Sequence, residues 1–201
     1  MREGILFIIS GPSGSGKTTL TKRVIKMVGN LRFSVSCTTR PPRPGEVDGV
    51  DCRFISEKEF EEMIQGNRLA EWAVVHGNRY GTPIDELDRA RSSGVDLILD
   101  LDVQGARSIR SRCGRGVFVF VLPSSFDALK ERLIKRKSEE AAEIIQRLDD
   151  AKEEMEEIEF YDYIIINDSL DEASQNLAAI VLAERCRKER VLRILSRLGG
   201  K

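Results

Sequence analysis

The run "ILFIISGPSGSGKTT", residues 5–19, most restricts what this chain can become. An apolar, β-branched stretch from Ile5 to Ile9 leads into a glycine-rich turn. A helix-forming stretch from Thr18 to Val28 follows and ends near Gly29-Asn30. Apolar runs without polar alternation belong to strands buried on both faces, as in a central parallel strand. The turn matches G-x-x-x-x-G-K-[ST] in full, from Gly11 to Thr18, between the strand and the helix that this pattern requires. Gly11, Gly14 and Gly16 let backbone N–H groups turn inward on phosphate oxygens, with Pro12, Ser13 and Ser15 between them. The helix that begins at Thr18-Thr19 points its positive end at the same anion. Lys17 supplies a cation for β- and γ-phosphates, and Thr18 a hydroxyl for Mg²⁺.

Further buried strands are predicted in "VDLILDLD" (95–102), "VFVFVL" (117–122) and "YIIIN" (163–167), separated by the helical patterns "VQGARSIRSR" and "SFDALKERLIKR". Such alternation implies crossover units and a parallel sheet covered by helices on both faces. Residues 33–82 break the rhythm. "FSVSCTTRPPRPGEVDGVDCRF" is rich in turn formers and arginine, and "RLAEWAVVHGNRYG" predicts short strands about a turn at Gly77-Asn78. The expected architecture is an α/β parallel core with an inserted lobe of mixed or antiparallel strands. Residues 135–159 are dense in charge, with Ile144, Ile145, Leu148 and Met155 on one helical face, as in a solvated helical arm. Residues 177–198 predict one long amphipathic helix. It either packs wholly on the body or offers its end past Arg190 to a partner.

Composition excludes more than it assigns. Lys plus Arg number 32 against 33 acidic residues, which disfavours a general nucleic-acid binder or a membrane-surface protein. Cys37, Cys52, Cys113 and Cys186 form no C-x-x-C pair, and His76 is the one histidine, so a Cys/His zinc site is not expected. Four reduced thiols and an N-terminal apolar run too short to span a bilayer point to a cytoplasmic protein.

Two acids close the strand "LILDLD". Asp100 and Asp102 lie two apart, on one face at the strand end where parallel sheets bind ligands. One of them suits Mg²⁺ through water, and Asp102 is also placed to cap the next helix. In "SCTTRPPRPGE", Arg40 and Arg43 stand three apart among Pro41, Pro42 and Pro44, which restrict the backbone and partly preorganise both guanidinium groups. With Ser36 and Tyr80 they suit a phosphate monoester.

Taken in order, "GPSGSGKTT", "SVSCTTRPPRPGEVDGVDCRF", "EW", "GNRYGT", "LDLDVQGA", "IQRL" and "IIINDSLD" resemble the guanylate kinase family over about residues 4–190. The resemblance implies a P-loop NTPase-type core (1–32, 83–133 and 149–201), a GMP-binding lobe (33–82) and a helical lid (134–148). It implies transfer of the γ-phosphate of ATP to GMP, with Mg²⁺ bound by Thr18 and Asp100. Ser36, Arg40, Arg43 and Tyr80 would hold the GMP phosphate. Glu71 and Thr82 would read the guanine, with Asp102 and Ser36 as assisting groups. The chemistry agrees, because guanine N1–H and its 2-amino group are donors that a carboxylate accepts, whereas adenine presents a bare acceptor at N1. Arg136 and Arg147 would close over the transferring group beside Lys17 and Arg43, and Arg132 would lie near the adenine. Asn167 takes either an ATP-side role or a structural turn role. Oligomeric state and dGMP acceptance are left open.

The match departs at Cys52, where the family usually carries a tyrosine that donates to the GMP phosphate. A thiol donates weakly, at an expected cost of roughly 1 kcal/mol unless Tyr80 or water compensates. Nearby arginines would lower its pKa. Lys137 replaces a family glycine in the lid. Two rival readings stand beside this one. Another small-molecule kinase of the same build would not need Glu71, Thr82 and Asp102. A guanylate-kinase-like scaffold module usually lacks an intact phosphate loop.

Overall fold

Two sheets divide the chain. A computed structural model describes residues 2–75, 77–135 and 141–198. In chain order they form β1 (Leu6–Ser10), α1 (Lys17–Met27), β2 (Leu31–Phe33), β3 (Cys37–Thr38), β4 (Arg53–Phe54), α2 (Glu57–Gln65) and β5 (Leu69–Val75). Then follow β6 (Asn78–Pro83), α3 (Ile84–Ser93), β7 (Asp96–Asp100), α4 (Val103–Cys113), β8 (Val117–Leu122) and α5 (Phe126–Lys135). The remainder is α6 (Ala141–Glu156), a 3₁₀ turn at Ile158–Phe160, β9 (Tyr163–Ile166), α7 (Leu170–Arg185) and α8 (Lys188–Leu198).

The larger sheet has the order β2-β7-β1-β8-β9 and is parallel throughout. Successive residues of its apolar strands face opposite sides. Ile9, Ile98 and Val119 therefore pack with Leu20, Val24, Leu177 and Val181 on one face. Ile8, Leu99, Phe118 and Phe120 pack with Leu87, Val103 and Ile109 on the other. Helices α1 and α7 cover the first face, and α3 and α4 the second. This is the doubly covered parallel core expected from the strand runs.

The smaller sheet, β4-β3-β6-β5, is mixed: β3 pairs parallel with β4 and antiparallel with β6. Strands β5 and β6 form a hairpin that turns through Gly77 at φ 76°. Helix α2 joins β4 to β5 across a small core of Cys37, Phe60 and Leu69. Its start is written in the sequence: Ser56 Oγ accepts from Glu59 N–H, and the Glu59 carboxylate accepts from Ser56 N–H, a reciprocal capping box.

The C-terminal segment differs from the single helix expected. It divides at Cys186-Arg187 into α7 and α8 although no glycine or proline marks the break. Buried Glu184 sits at the turn and ties its two sides together. It accepts from Tyr163 Oη at 2.8 Å and pairs with Arg190 at 3.3 Å. In an unbroken helix, residues six apart lie about 9 Å apart along the axis and on different faces, so this pair requires the chain to fold back.

Asp96 anchors the other end of the sheet. Fully buried, it accepts from the Ile5 N–H, Arg2 and Arg185, each at 2.8 Å, joining β1, β7 and α7. Removing one member of a buried ion pair leaves charge uncompensated. Asp96→Ala should lower unfolding free energy by about 3–5 kcal/mol in urea titrations, well beyond an ordinary surface change.

Candidate active site

The phosphate loop links β1 to α1, and its carbonyls are held by Asn167 and Arg132 from outside and by Lys17 from within. Asn167 Nδ2 donates to the Ser15 carbonyl at 2.7 Å. Arg132 Nη1 reaches the same oxygen at 3.3 Å, while its Nη2 donates to the Asn167 carbonyl at 2.8 Å. Lys17 Nζ folds back onto the loop, donating to the carbonyls of Gly11 and Pro12. Gly16 caps α1 at φ 89°, and a Cβ there would collide with Asn167 Nδ2. Arg132, expected from the resemblance near the adenine, and Asn167, expected on the ATP side or in a structural turn, both hold the loop, and Asn167 is buried. Arg147, on α6, reaches Ser13 Oγ at 3.3 Å. Arg136 and Lys137 lie outside the described residues.

Thr18 Oγ1 donates to Asp100 Oδ2 at 2.8 Å. These two oxygens face a cavity of about 190 Å³ lined also by Ser13, Gly14, Gly16, Lys17 and Thr19. A hydroxyl and a carboxylate are hard oxygen donors, and the open cavity leaves room for water and phosphate ligands, so the pair fits Mg²⁺. Asp102 does otherwise. It caps α4, accepting from Gly105 N–H at 2.6 Å.

A second cavity, of about 210 Å³, adjoins the first at Asp100, which lines both. Its walls include Ser36, Glu71, Tyr80 and Asp102. Glu71 is 6% exposed, and burial pushes its carboxyl up to about 7, against the Thr82 hydrogen bond and with help from the Asp102 charge. Thr82 is fully buried outside that lining, and its hydroxyl donates to Glu71 Oε1 at 2.5 Å. Thr82 therefore spends its one hydrogen on orienting Glu71.

Arg40 lies beside this cavity. Its Nε donates to Tyr80 Oη at 3.1 Å, and its guanidinium stacks 5.6 Å from the Phe54 ring centre. Cys52, on the bridge leading into β4, is near Arg40 and Arg43, yet its pKa is not lowered. Burial raises it, overriding Arg40, because desolvation of a thiolate outweighs cations that water also reaches.

Two side chains escaped the sequence reading. Glu46 forks onto Arg40, with both oxygens at 3.0 Å from its nitrogens. The proline-glycine turn before it was the available signal. Glu154, on α6, has a carboxyl pushed up to about 7, chiefly by burial, with Lys17 opposing and Asp102 reinforcing. One of its oxygens is buried without a hydrogen bond among the described residues. Only the fold could reveal it, since nothing in the charge-rich run distinguishes Glu154 from its neighbours.

A parallel sheet, a phosphate loop, an acid at the adjoining strand end and a second cleft beside it define a phosphate-loop phosphotransferase. Comparison with known proteins narrows the class. The profile of the guanylate kinase family matches residues 3–184. The guanylate kinase of Geobacter sulfurreducens is 49% identical over 197 residues, covering 98% of this chain and 97% of the relative. That of Geobacter metallireducens is 52% identical over 191 residues, covering 95% and 94%. The crystal structure of guanylate kinase from Anaplasma phagocytophilum superposes with a TM-score of 0.75 at 30% identity, covering 97% of this chain and 94% of that one. The chain belongs to the guanylate kinase family, and it is a nucleoside monophosphate kinase. Among the described residues, no helix is long and apolar enough to cross a membrane.

Gly16→Ala tests the loop. The methyl group meets Asn167 and strains a left-handed residue at a cost of about 1–2 kcal/mol before any collision is counted. Binding of a fluorescent ATP analogue should weaken by about tenfold or more, with the fold retained by circular dichroism.

Proposed function

We propose that this chain transfers the γ-phosphoryl group of ATP to GMP, giving ADP and GDP, in the cytoplasm. The observation that carries the reading is the junction at Asp100 of two cavities. One is lined by the phosphate loop and the other by the buried carboxyl of Glu71 together with Asp102. A triphosphate seated on the loop and a monophosphate in the second cavity would meet there with the reacting atoms held together, which replaces a bimolecular encounter by positioning.

The residue roles follow from chemistry. Backbone N–H groups of Gly11–Thr18, the start of α1 and Lys17 bind the phosphates of ATP. Thr18 and Asp100 would hold Mg²⁺, which would supply charge neutralisation to the phosphates. Glu71 accepts from guanine N1–H and N2–H, kept in place by Thr82, with Asp102 and the Ser36 hydroxyl on the same wall. Arg40, Arg43 and Tyr80 take the GMP phosphate, with Cys52 beside them. Arg40 donates to the Tyr80 oxygen, so the tyrosine keeps its own hydrogen for the anion. Arg147 reaches the loop from the lid helix, and with Arg136 it would stabilise charge spread over the transferring group. The nucleophile needs no general base, because a phosphate monoester is already anionic near neutrality.

An ADP-release assay with ATP, Mg²⁺ and each of GMP, AMP, CMP, UMP and no acceptor tests the reading. Turnover with GMP alone is expected. Equal turnover with AMP, or none with GMP, refutes it.

Glu71 predicts a pH dependence. Its carboxyl sits at about 7, above the ordinary carboxylate value, so below that pH it carries a proton. Only the ionised form accepts from both guanine donors. Affinity should therefore fall as pH falls through 7. Guanosine, which has no phosphate to titrate, should bind about tenfold more weakly at pH 6 than at pH 8 by calorimetry. Glu71→Gln should bind weakly at both and lose the slope.

A further inference from the structure

The segment from Arg40 to Glu46 is a closed hydrogen-bonded unit, and Glu46 closes it. Arg43-Pro44-Gly45-Glu46 is a reverse turn with Glu46 N–H donating to the Arg43 carbonyl at 3.0 Å. Proline at the second position and glycine at φ 87° at the third are the residues a type II turn demands. A turn of that hand carries the Glu46 side chain back along the segment. Its Oε2 accepts from Arg43 N–H at 2.7 Å and from Arg40 Nη1 at 3.0 Å, and its Oε1 accepts from Arg40 Nη2 at 3.0 Å.

Arginine has five N–H donors in a rigid plane. In Arg40, Nε is given to Tyr80, Nη1 to Pro41 and Glu46, and one Nη2 hydrogen to Glu46. The fork and the Tyr80 contact together fix the guanidinium plane. Among the described residues they leave the second Nη2 hydrogen and the Tyr80 hydroxyl hydrogen as the donors still to be spent.

We infer that Glu46 is a positioning residue for the acceptor phosphate: its carboxylate fixes the plane of Arg40, and with it the Arg40 and Tyr80 donors, before the monophosphate arrives. This rests on the proposed role of Arg40 in holding that phosphate. Glu46 does not behave as a stand-in that the phosphate displaces. It also accepts from the Arg43 N–H, and leaving would break that bond and free the turn. A flexible arginine must surrender rotamer freedom on binding, and a pre-fixed one does not.

The test compares Glu46→Ala and Glu46→Gln with Arg40→Ala in the ATP–GMP assay, with guanosine binding measured by calorimetry. In Glu46→Ala the KM for GMP should rise about tenfold or more, as for loss of a charge-assisted hydrogen bond, while the KM for ATP stays within about twofold. Glu46→Gln, which keeps one acceptor oxygen and the side-chain volume, should show a smaller rise. Guanosine, lacking the phosphate, should bind both variants as it binds the parent. A general disturbance of the lobe would weaken guanosine too, and that result overturns the inference. So does an unchanged or lowered KM for GMP in both Glu46 variants while Arg40→Ala raises it, which would leave Arg40 as the phosphate residue and Glu46 as a bystander. If Arg40→Ala has no effect, the phosphate assignment itself fails and the role of Glu46 falls with it.

Discussion

Ile9 lies opposite Asp100 in the parallel pairing of β1 with β7. The geometry of the site follows from that register. Ile9 is two residues before the phosphate loop, and Asp100 is the last residue of its strand. The pairing therefore delivers the loop and the acid to the same edge of the sheet, where Thr18 of α1 donates to Asp100. A slip of one residue would turn Asp100 toward the opposite face. The core prevents that slip, because Ile98 and Leu99 are packed into opposite apolar layers. Two positions further on, Asp102 starts α4 and lines the second cavity. One strand end thus serves both cavities, and hydrophobic packing sets the distance between them.

The loop needs support of another kind. A backbone that turns its N–H groups toward an anion turns carbonyls away from it, and each buried carbonyl requires a donor. Asn167 after β9 and Arg132 of α5 converge on the Ser15 carbonyl. Lys17 serves the carbonyls of Gly11 and Pro12. The loop is consequently braced by elements that arrive more than a hundred residues later in the chain. Such bracing holds the N–H groups in place ahead of any ligand, so that little reorganisation is paid on binding.

Local and periodic signals made much of this legible in the sequence. The apolar runs gave the parallel strands, and Gly11–Thr18 gave the loop because its spacing is itself the geometry. The lobe was visible through the proline-rich arginine segment and the Gly77-Asn78 turn. Features that depend on partners far along the chain were not visible. The break at Cys186 has no glycine or proline, and Glu184, shared by Tyr163 and Arg190, ties its two sides together. The three-residue strand β2 is too short to show a period, and it forms because β7 offers an edge. Thr82 reads as a base-facing hydroxyl until the β5–β6 pairing sets it opposite Glu71, which takes its hydrogen. Cys52 shows the same limit. Neighbouring arginines suggest an activated thiol, and only its burial shows that desolvation wins.

The electrostatics of the site run against simple attraction. Glu71 in the lobe and Glu154 on α6 are both pushed to about 7, each chiefly by burial and each further by Asp102. Asp102 is thus a common neighbour of two carboxyls carried on different elements, and ionising either one works against its charge. The opposing influences are unequal. Lys17 lowers Glu154, whereas Glu71 has only the Thr82 hydrogen bonds on its side. Near neutrality both carboxyls are therefore partly protonated, and among the described residues no cation offsets the burial of Glu71. A ligand that brings two N–H donors to Glu71 offers the neutral dipoles that burial has withheld. In the proposed role of Glu71 the ionised form is the discriminating one: a base that cannot donate would leave the buried carboxylate uncompensated, whereas the protonated form could donate to a bare acceptor.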